Sequence, residues 1–462
     1  MAIINGTIYN DYLPGTAAND SIYANSGDDY VSAGEGNDYV DAWTGNDTVY
    51  GGNGNDSIYG YDGNDALYGG EGEDRILGEQ GDDTINGGGG QDYMDGGAGV
   101  DTVDYSYWSG GGTYNLATGV ASFPGFYNEQ ILNFESIVTG SGDDNIVGNE
   151  SNNRIEAGYG NDTVSGAGGQ DYMDGGAGVD TVDYSYWSGG GTYNLATGVA
   201  SFPGFYNEQI LNFESIVTGA GNDNIVGNES NNRIEAGYGN DTVSGAGGQD
   251  YMDGGAGVDT VDYSYWSGGG TYNLATGVAS FPGFYNEQIL NFESIITGSG
   301  NDNVIGSSAS NQIVSGSGND TLSGGSGNDS LIGGLGNDRL VGGDGNDRLN
   351  GYGTTLSNAS QFDKLTGGSG SDYFVLGGSW GVSYFETGDG YAVIQDWNQV
   401  NDWIEVKGNI NKYDLKYTSV GGIGSSAKDT EIYYTDALGN RDRIGIVQDS
   451  TNVKLSADFK FI

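Results

Sequence analysis

An aspartate returns at every ninth residue from the start of the chain: Asp11, Asp20, Asp29, Asp38, Asp47, Asp56, Asp65, Asp74, Asp83, Asp92 and Asp101 keep the interval without a slip. Carboxylates are hard oxygen donors, and a regular row of them suits calcium, which takes six to eight oxygens in flexible geometry. Magnesium demands stricter octahedral order and keeps its waters. Zinc prefers His or Cys, and the chain has neither. Turn formation alone does not require Asp at one fixed position.

The residues between the aspartates say how they are held. Two positions after most of them stands one apolar side chain: Ile22, Val31, Val40, Val49, Ile58, Leu67, Ile76, Ile85, Met94 and Val103. Glycines fill much of the rest, as in Gly51-Gly52-Asn53-Gly54-Asn55-Asp56-Ser57-Ile58-Tyr59. A strict short period makes each unit one structural step that stacks on its neighbours. The glycine-rich six residues predict a tight turn. The last three predict a short strand whose central apolar residue points inward. Two nonapeptides complete one coil, so the expected fold is all-β, a parallel roll with a sheet on each of two faces. At ~4.8 Å per coil, roughly twenty coils give a rod on the order of 100 Å long.

Such a core is thin. One aliphatic side chain per nine residues supplies ~1.5–3 kcal/mol. Ordering each residue of backbone costs about 1–2 kcal/mol. Another force must hold the coils together. The chain carries 64 acidic and 14 basic residues, a net charge of -50. That charge opposes any compact state unless cations neutralise it. Ions between stacked turns convert carboxylate repulsion into attraction, and about twenty divalent ions remove most of the excess. The same charge makes nucleic acid a poor partner. Acidic, glycine-rich chains often stay disordered, but the apolar period and an aromatic content of 12% argue for conditional folding. The chain has no cysteine, no apolar stretch long enough to span a bilayer, and no basic-then-apolar leader after Met1.

A second period of 79 residues overlies the first. Residues 1–104 are nonapeptides; 105–183, 184–262 and the start of 263–350 are near-copies of one long unit; 351–462 is an interrupted last repeat followed by a different, less glycine-rich module. The first two copies differ only at Ser141/Ala220 and Asp143/Asn222. Each copy opens with 34 residues lacking the nine-residue beat, Tyr105–Val138 in the first, and continues with five nonapeptides. Within the 34, Thr113–Leu116 and Val120–Ser122 read as a hairpin bent at Gly119, and Ile131–Val138 reads as one strand returning to the roll.

On these residues the chain resembles the RTX (haemolysin-type) calcium-binding repeat proteins, whose unit is G-G-x-G-x-D-x-U-x with U apolar. The resemblance implies a parallel β-roll with calcium between successive turns. The implied ligands are glycine carbonyls and the sixth-position aspartates Asp20, Asp29, Asp38, Asp47, Asp56, Asp65, Asp74, Asp83, Asp92 and Asp101. The later repeats add Asp144, Asp162, Asp171, Asp180, Asp223, Asp241, Asp250, Asp259, Asp302, Asp320, Asp329, Asp338 and Asp347. Asn153, Asn232 and Asn311 depart from the pattern, so weaker or empty sites are expected there. The family further implies type I secretion to an extracellular or cell-surface location, with folding triggered by external calcium. The C-terminal segment, with Asp372–Leu376, Tyr391–Trp397 and Asp402–Val406, is similar to terminal modules of secreted members, cyanobacterial ones especially. It is expected to cap the roll with antiparallel strands and to carry an uncleaved secretion signal near Ala457–Ile462.

No enzyme is expected. The repeats leave no room for a protease, lipase or pore-forming domain, and without His there is no HExxH motif or Ser-His-Asp triad. The expected function is a secreted structural protein whose partner is itself, in a filament, sheath or surface layer. The alternative is an adhesive module that binds cell-surface polysaccharide through the aromatic inserts (Tyr105, Tyr107, Trp108, Phe123, Phe126, Tyr127 and their copies). Those rings also have a plain structural reading, packing the insert onto the sheet. Strand tyrosines fall in two rows, Tyr23, Tyr39 and Tyr59 on one sheet and Tyr30, Tyr50 and Tyr68 on the other; β-propensity explains them, and sticky lateral faces are the alternative.

Overall fold

The protein is described here from a computed structural model. It describes residues 1–353, 360–379, 381–385 and 390–462. The interrupted last repeat foreseen from residue 351 therefore lies partly outside the described residues. The chain divides into two compact units, Met1–Ala220 and Gly221–Ile462.

In the first unit, consecutive strands alternate between two parallel sheets. On the first sheet Ile22 pairs with Val40, and Val40 with Ile58. On the second, Leu13 pairs with Val31 and Val31 with Val49. The register step is 18 residues, so two nonapeptides make one coil, as the sequence predicts. Ile22, Val31, Val40, Val49 and Ile58 are wholly buried, while their strand neighbours face outward. The outward tyrosines form ladders: Tyr50 stacks on Tyr68 with ring centroids 4.6 Å apart, and Tyr39 lies 5.5 Å from Tyr59 on the other sheet. The turns need glycine at particular points. Gly54 has φ +124°, and a Cβ there would lie 2.0 Å from the Gly36 carbonyl.

The 34-residue insert is a three-stranded antiparallel meander spliced into one sheet. Thr113–Asn115 pairs with Val120–Ser122, which pairs with Asn128–Leu132. The outer strands rejoin the roll in parallel, Asn128–Leu132 against Tyr93–Ala98 and Thr113–Asn115 against Asn145–Val147. The hairpin and its Gly119 bend (φ +70°) are as expected. The single return strand is not. Asn133, at φ +55°, breaks it, and Ser136–Val138 joins the opposite sheet beside Thr102–Asp104. The reason is apolar: Ile131, Phe134 and Ile137 are all wholly buried, and one extended strand, with side chains alternating between faces, could not turn all three inward.

Successive inserts lie on opposite sheets. The first joins the sheet of Tyr93–Ala98. The second, through Asn207–Leu211, joins Tyr172–Asp174 on the other sheet. The three strands of an insert take one turn in the alternation between sheets, and six single strands follow before the next insert, seven half-coils in all. That is an odd number of half-coils, so the next copy starts on the other side. The third insert, in the second unit, joins Tyr251–Asp253 in the same way.

The second unit repeats the two-sheet plan and extends it. Leu340 pairs with Leu365, a step of 25 residues, so the interruption is absorbed as one lengthened coil. Parallel stacking continues through Tyr391–Ile394 and Trp403–Val406. Phe459–Phe461 adds to one sheet. Tyr413–Thr418, Asp429–Thr435 and Arg441–Val447 form the expected antiparallel meander on the other. No helix among the described residues is long and apolar enough to cross a membrane.

Candidate metal centre

The turn aspartates form two ladders in the first unit, one per edge. Asp56 Oδ1 accepts the N–H of Asp38, one coil earlier, at 2.7 Å. Asp74 does the same for Asp56, and Asp92 for Asp74. On the other edge the series runs Asp29, Asp47, Asp65, Asp83 and Asp101. After the insert it resumes at Asp162, Asp171 and Asp180. In the second unit it runs through Asp241, Asp250, Asp259, Asp320, Asp329, Asp338 and Asp347. Asp223 hands its own N–H to Asp241. Asp144 and Asp302 accept N–H groups from the inserts, those of Gly112 and Gly270. All of these carboxylates are buried.

In most of these carboxylates one oxygen is thus engaged and the other is not. Oδ2 is enclosed and without a partner at Asp29, Asp38, Asp47, Asp56, Asp65, Asp74, Asp83, Asp92 and Asp101. The same holds at Asp162, Asp171, Asp180, Asp241, Asp250, Asp259, Asp302, Asp320, Asp329, Asp338 and Asp347. Buried polar atoms are normally paired, and each exception calls for a cause. Asp20 differs: Thr16 gives its Oδ2 both an N–H and a hydroxyl at 2.7 Å.

Many of the free oxygens, those of Asp56 and Asp74 among them, face glycine backbone. A Cβ on Gly51 would lie 2.4 Å from Asp56 Oδ2 and 2.5 Å from the Gly69 carbonyl; on Gly69, 2.4 Å from both Asp74 Oδ2 and the Gly87 carbonyl. The repeat therefore builds a cradle that a side chain would fill, rimmed by one carboxylate oxygen and a backbone carbonyl. Among the described residues no three acidic, His or Cys side chains gather as a metal cluster, so a cation there draws on carbonyls as well. Hard oxygens without nitrogen or sulfur fit calcium. Burial pushes the Asp47, Asp65 and Asp74 carboxyls up to about 7 and Asp56 to about 6, against hydrogen bonds from backbone N–H that lower them. A dication at the free oxygen favours the charged form instead.

Asn153 shows the contrast. Its Oδ1 accepts the Asn149 N–H at 2.8 Å, and its Nδ2 donates to the Glu135 carbonyl at 3.0 Å. Asn311 repeats this with Ser307 and Glu293. The amide supplies donors where an aspartate leaves a bare oxygen.

Three sets of residues go beyond the nine-residue beat. Glu135 Oε2 accepts the Asp101 N–H at 3.0 Å and carries the ladder across the insert. Its signal was available, since it stands two residues before the inward Ile137. Asp363, Asp372 and Asp402 extend the second unit's ladders, though Asp363 Oδ2 already accepts the Tyr384 hydroxyl. The fifth-position residues form a counter-ladder: Asn37 Oδ1 accepts the Asn55 N–H at 3.1 Å, and Asn55 Oδ1 that of Glu73 at 3.1 Å, each reaching one coil forward while the aspartates reach back.

The profile of the RTX calcium-binding nonapeptide repeat matches residues 5–40, 44–76, 68–103, 135–158, 147–182, 213–237, 226–261, 296–331, 323–353 and 360–379. These stretches make up more than half of the chain, which belongs to this family of calcium-binding repeat proteins. The gaps between them hold most of the first, second and third inserts. No curated protein matches the chain. Among solved structures it is similar to the AlgE6R3 subunit of the Azotobacter vinelandii mannuronan C5-epimerase, with 23% identity over 35% of this chain and 77% of that one, at a TM-score of 0.17.

Proposed function

We propose that this chain is a secreted structural protein, held in its rolled form by calcium along both edges and assembling with its own copies into a filament, sheath or surface layer. The observation that carries the calcium part is the row of enclosed Oδ2 atoms without a partner, several of them, as at Asp56 and Asp74, facing a glycine whose Cβ would fill the space beside the oxygen. The ligands in this reading are the aspartates of those rows, and about twenty ions fill them. Calcium scarcity inside a cell and abundance outside would keep the chain unfolded for export by a type I system and fold it on arrival.

Assembly has a geometric basis. Repeated inserts set even spacing, but not on one face: the first and second lie on opposite sheets. Phe126 and Phe205 are each 69% exposed. One molecule thus offers the same aromatic patch on two sides, which suits lateral cross-linking into a layer or bundle better than closure into a dimer. Electron microscopy and light scattering with calcium, and again with chelator, test this. Calcium-loaded protein that stays monomeric at every concentration overturns it.

The exposed rings Phe126, Phe205 and Phe284 also support a second reading, adhesion to a cell-surface polysaccharide. Glycan-array binding lost in the combined Trp108→Ala, Trp187→Ala, Trp266→Ala protein would favour it over assembly.

A further inference from the structure

The third insert encloses a cavity of about 460 Å³ walled by Tyr265, Trp266, Phe281, Phe284 and Tyr285. The rings brace one another. Trp266 meets Phe281 edge-on at 5.0 Å and Phe284 at 5.2 Å, so the walls are fixed before any ligand arrives. Phe284 is nevertheless 66% exposed and Tyr265 45% exposed, which leaves the mouth open. Two carboxyls belong to the lining, Glu229 at the exposed rim and Glu287 inside. Glu287 is only 3% exposed, and one of its oxygens accepts the Tyr263 hydroxyl at 2.6 Å. In the first copy the equivalent Glu129 binds Tyr105 in the same way and leaves Oε1 enclosed without a partner.

The lining has no Lys, Arg or side-chain amide. It offers π faces, two carboxyls and a few neutral polar groups, the Ser244, Tyr265 and Tyr285 hydroxyls and the Trp266 indole N–H. An anion would meet the Glu229 carboxylate in a chain of charge -50, and a neutral sugar draws less from that field than a cation does. A cation with an apolar skin meets no such penalty, because ring faces attract it and the acidic rim completes the match.

We propose that each aromatic insert binds an organic ammonium ion, an alkylated nitrogen seated among the rings with Glu229, or its counterpart, at the mouth. The second copy has the same residues at Tyr186, Trp187, Phe202, Phe205, Tyr206, with Glu150 and Glu208. The first keeps the rings and both acids, as Glu71 and Glu129. Because the first two inserts lie on opposite sheets, the chain displays such sites on two sides. The site uses the same exposed rings, Phe126, Phe205 and their third copy Phe284, as the patch proposed for assembly, but titration with a ligand reads it independently of assembly.

The test is a titration of the calcium-loaded full chain with tetramethylammonium chloride, read by tryptophan fluorescence and by NMR of the ligand methyl groups. A parallel titration with tert-butanol, nearly the same shape without the charge, serves as control. The expected result is saturable binding of tetramethylammonium alone. The combined Phe126→Ala, Phe205→Ala, Phe284→Ala protein, altered only at exposed rings, should bind about tenfold more weakly. The combined Glu71→Gln, Glu150→Gln, Glu229→Gln protein should also lose affinity. Equal binding of tert-butanol, no saturation, or full affinity in the phenylalanine variant overturns the proposal. So does saturable binding of cellobiose in place of the cation, which would make the cavity a saccharide site.

Discussion

Asp56 Oδ1 accepts the backbone N–H of Asp38 at 2.7 Å, while Asp56 Oδ2 is enclosed with no partner. One oxygen sews neighbouring coils together, and the other is reserved. This division explains why aspartate recurs where asparagine, serine or threonine could make an ordinary turn. It also predicts different outcomes for substitutions that look alike.

Asp56→Ala removes the acceptor for the Asp38 N–H and one cradle oxygen together. An unsatisfied buried N–H costs about 1–3 kcal/mol. Coils interact with their nearest neighbours, so the loss should stay local. Amide exchange in calcium should speed up around residues 38–74 and stay unchanged beyond the first insert. Uniform loss of protection along the first unit would contradict this.

Asn153→Asp runs the other way. It deletes the Nδ2 donor to the Glu135 carbonyl and creates a bare carboxylate oxygen. Without calcium the variant should be less stable by about 1 kcal/mol, the net value of such a hydrogen bond. With calcium it should recover or exceed the parent. Urea midpoints measured with and without the ion read the difference.

Glu129, Glu208 and Glu287 predict a pH effect unrelated to metal. Burial raises each carboxyl to about 8, although the hydrogen bond from the tyrosine hydroxyl pulls downward. A carboxyl with a raised folded pKa contributes stability that is complete below its ordinary range, near 4.5, and is lost as pH rises through about 8. In saturating calcium the melting temperature should therefore fall between about pH 5 and 8 and level off above that. The combined Glu129→Gln, Glu208→Gln, Glu287→Gln protein should lose that slope.

Gly51→Ala tests the cradle from the backbone side. Its Cβ would sit 2.4 Å from Asp56 Oδ2 and 2.5 Å from the Gly69 carbonyl. The substitution should lower calcium stoichiometry by about one ion and destabilise that coil. Calorimetric titration that finds the parent's stoichiometry would falsify the cradle assignment.

Much of the roll was legible in the sequence because one short period fixes both the strands and the turns. Ile22, Val31 and Val40 marked the buried line, and Asp56 and its kin marked the edges. Two features were hidden. The fate of Ile131–Val138 turned on Asn133 adopting a left-handed φ, and only the three-residue spacing of Ile131, Phe134 and Ile137 argued against one continuous strand. The alternation of inserts depends on counting half-coils, so it emerges only once the path of Asn128–Leu132 and Ser136–Val138 is known. The counter-ladder of Asn37 and Asn55 was visible as a polar residue before most of the aspartates, but its direction was not.

The claim at the centre is that dications occupy the reserved oxygens. Crystals grown with calcium and measured for its anomalous signal address it directly. Peaks should stand beside Asp56 Oδ2 and Asp74 Oδ2, with none beside Asn153. An intact roll with no peak along either edge would contradict the account.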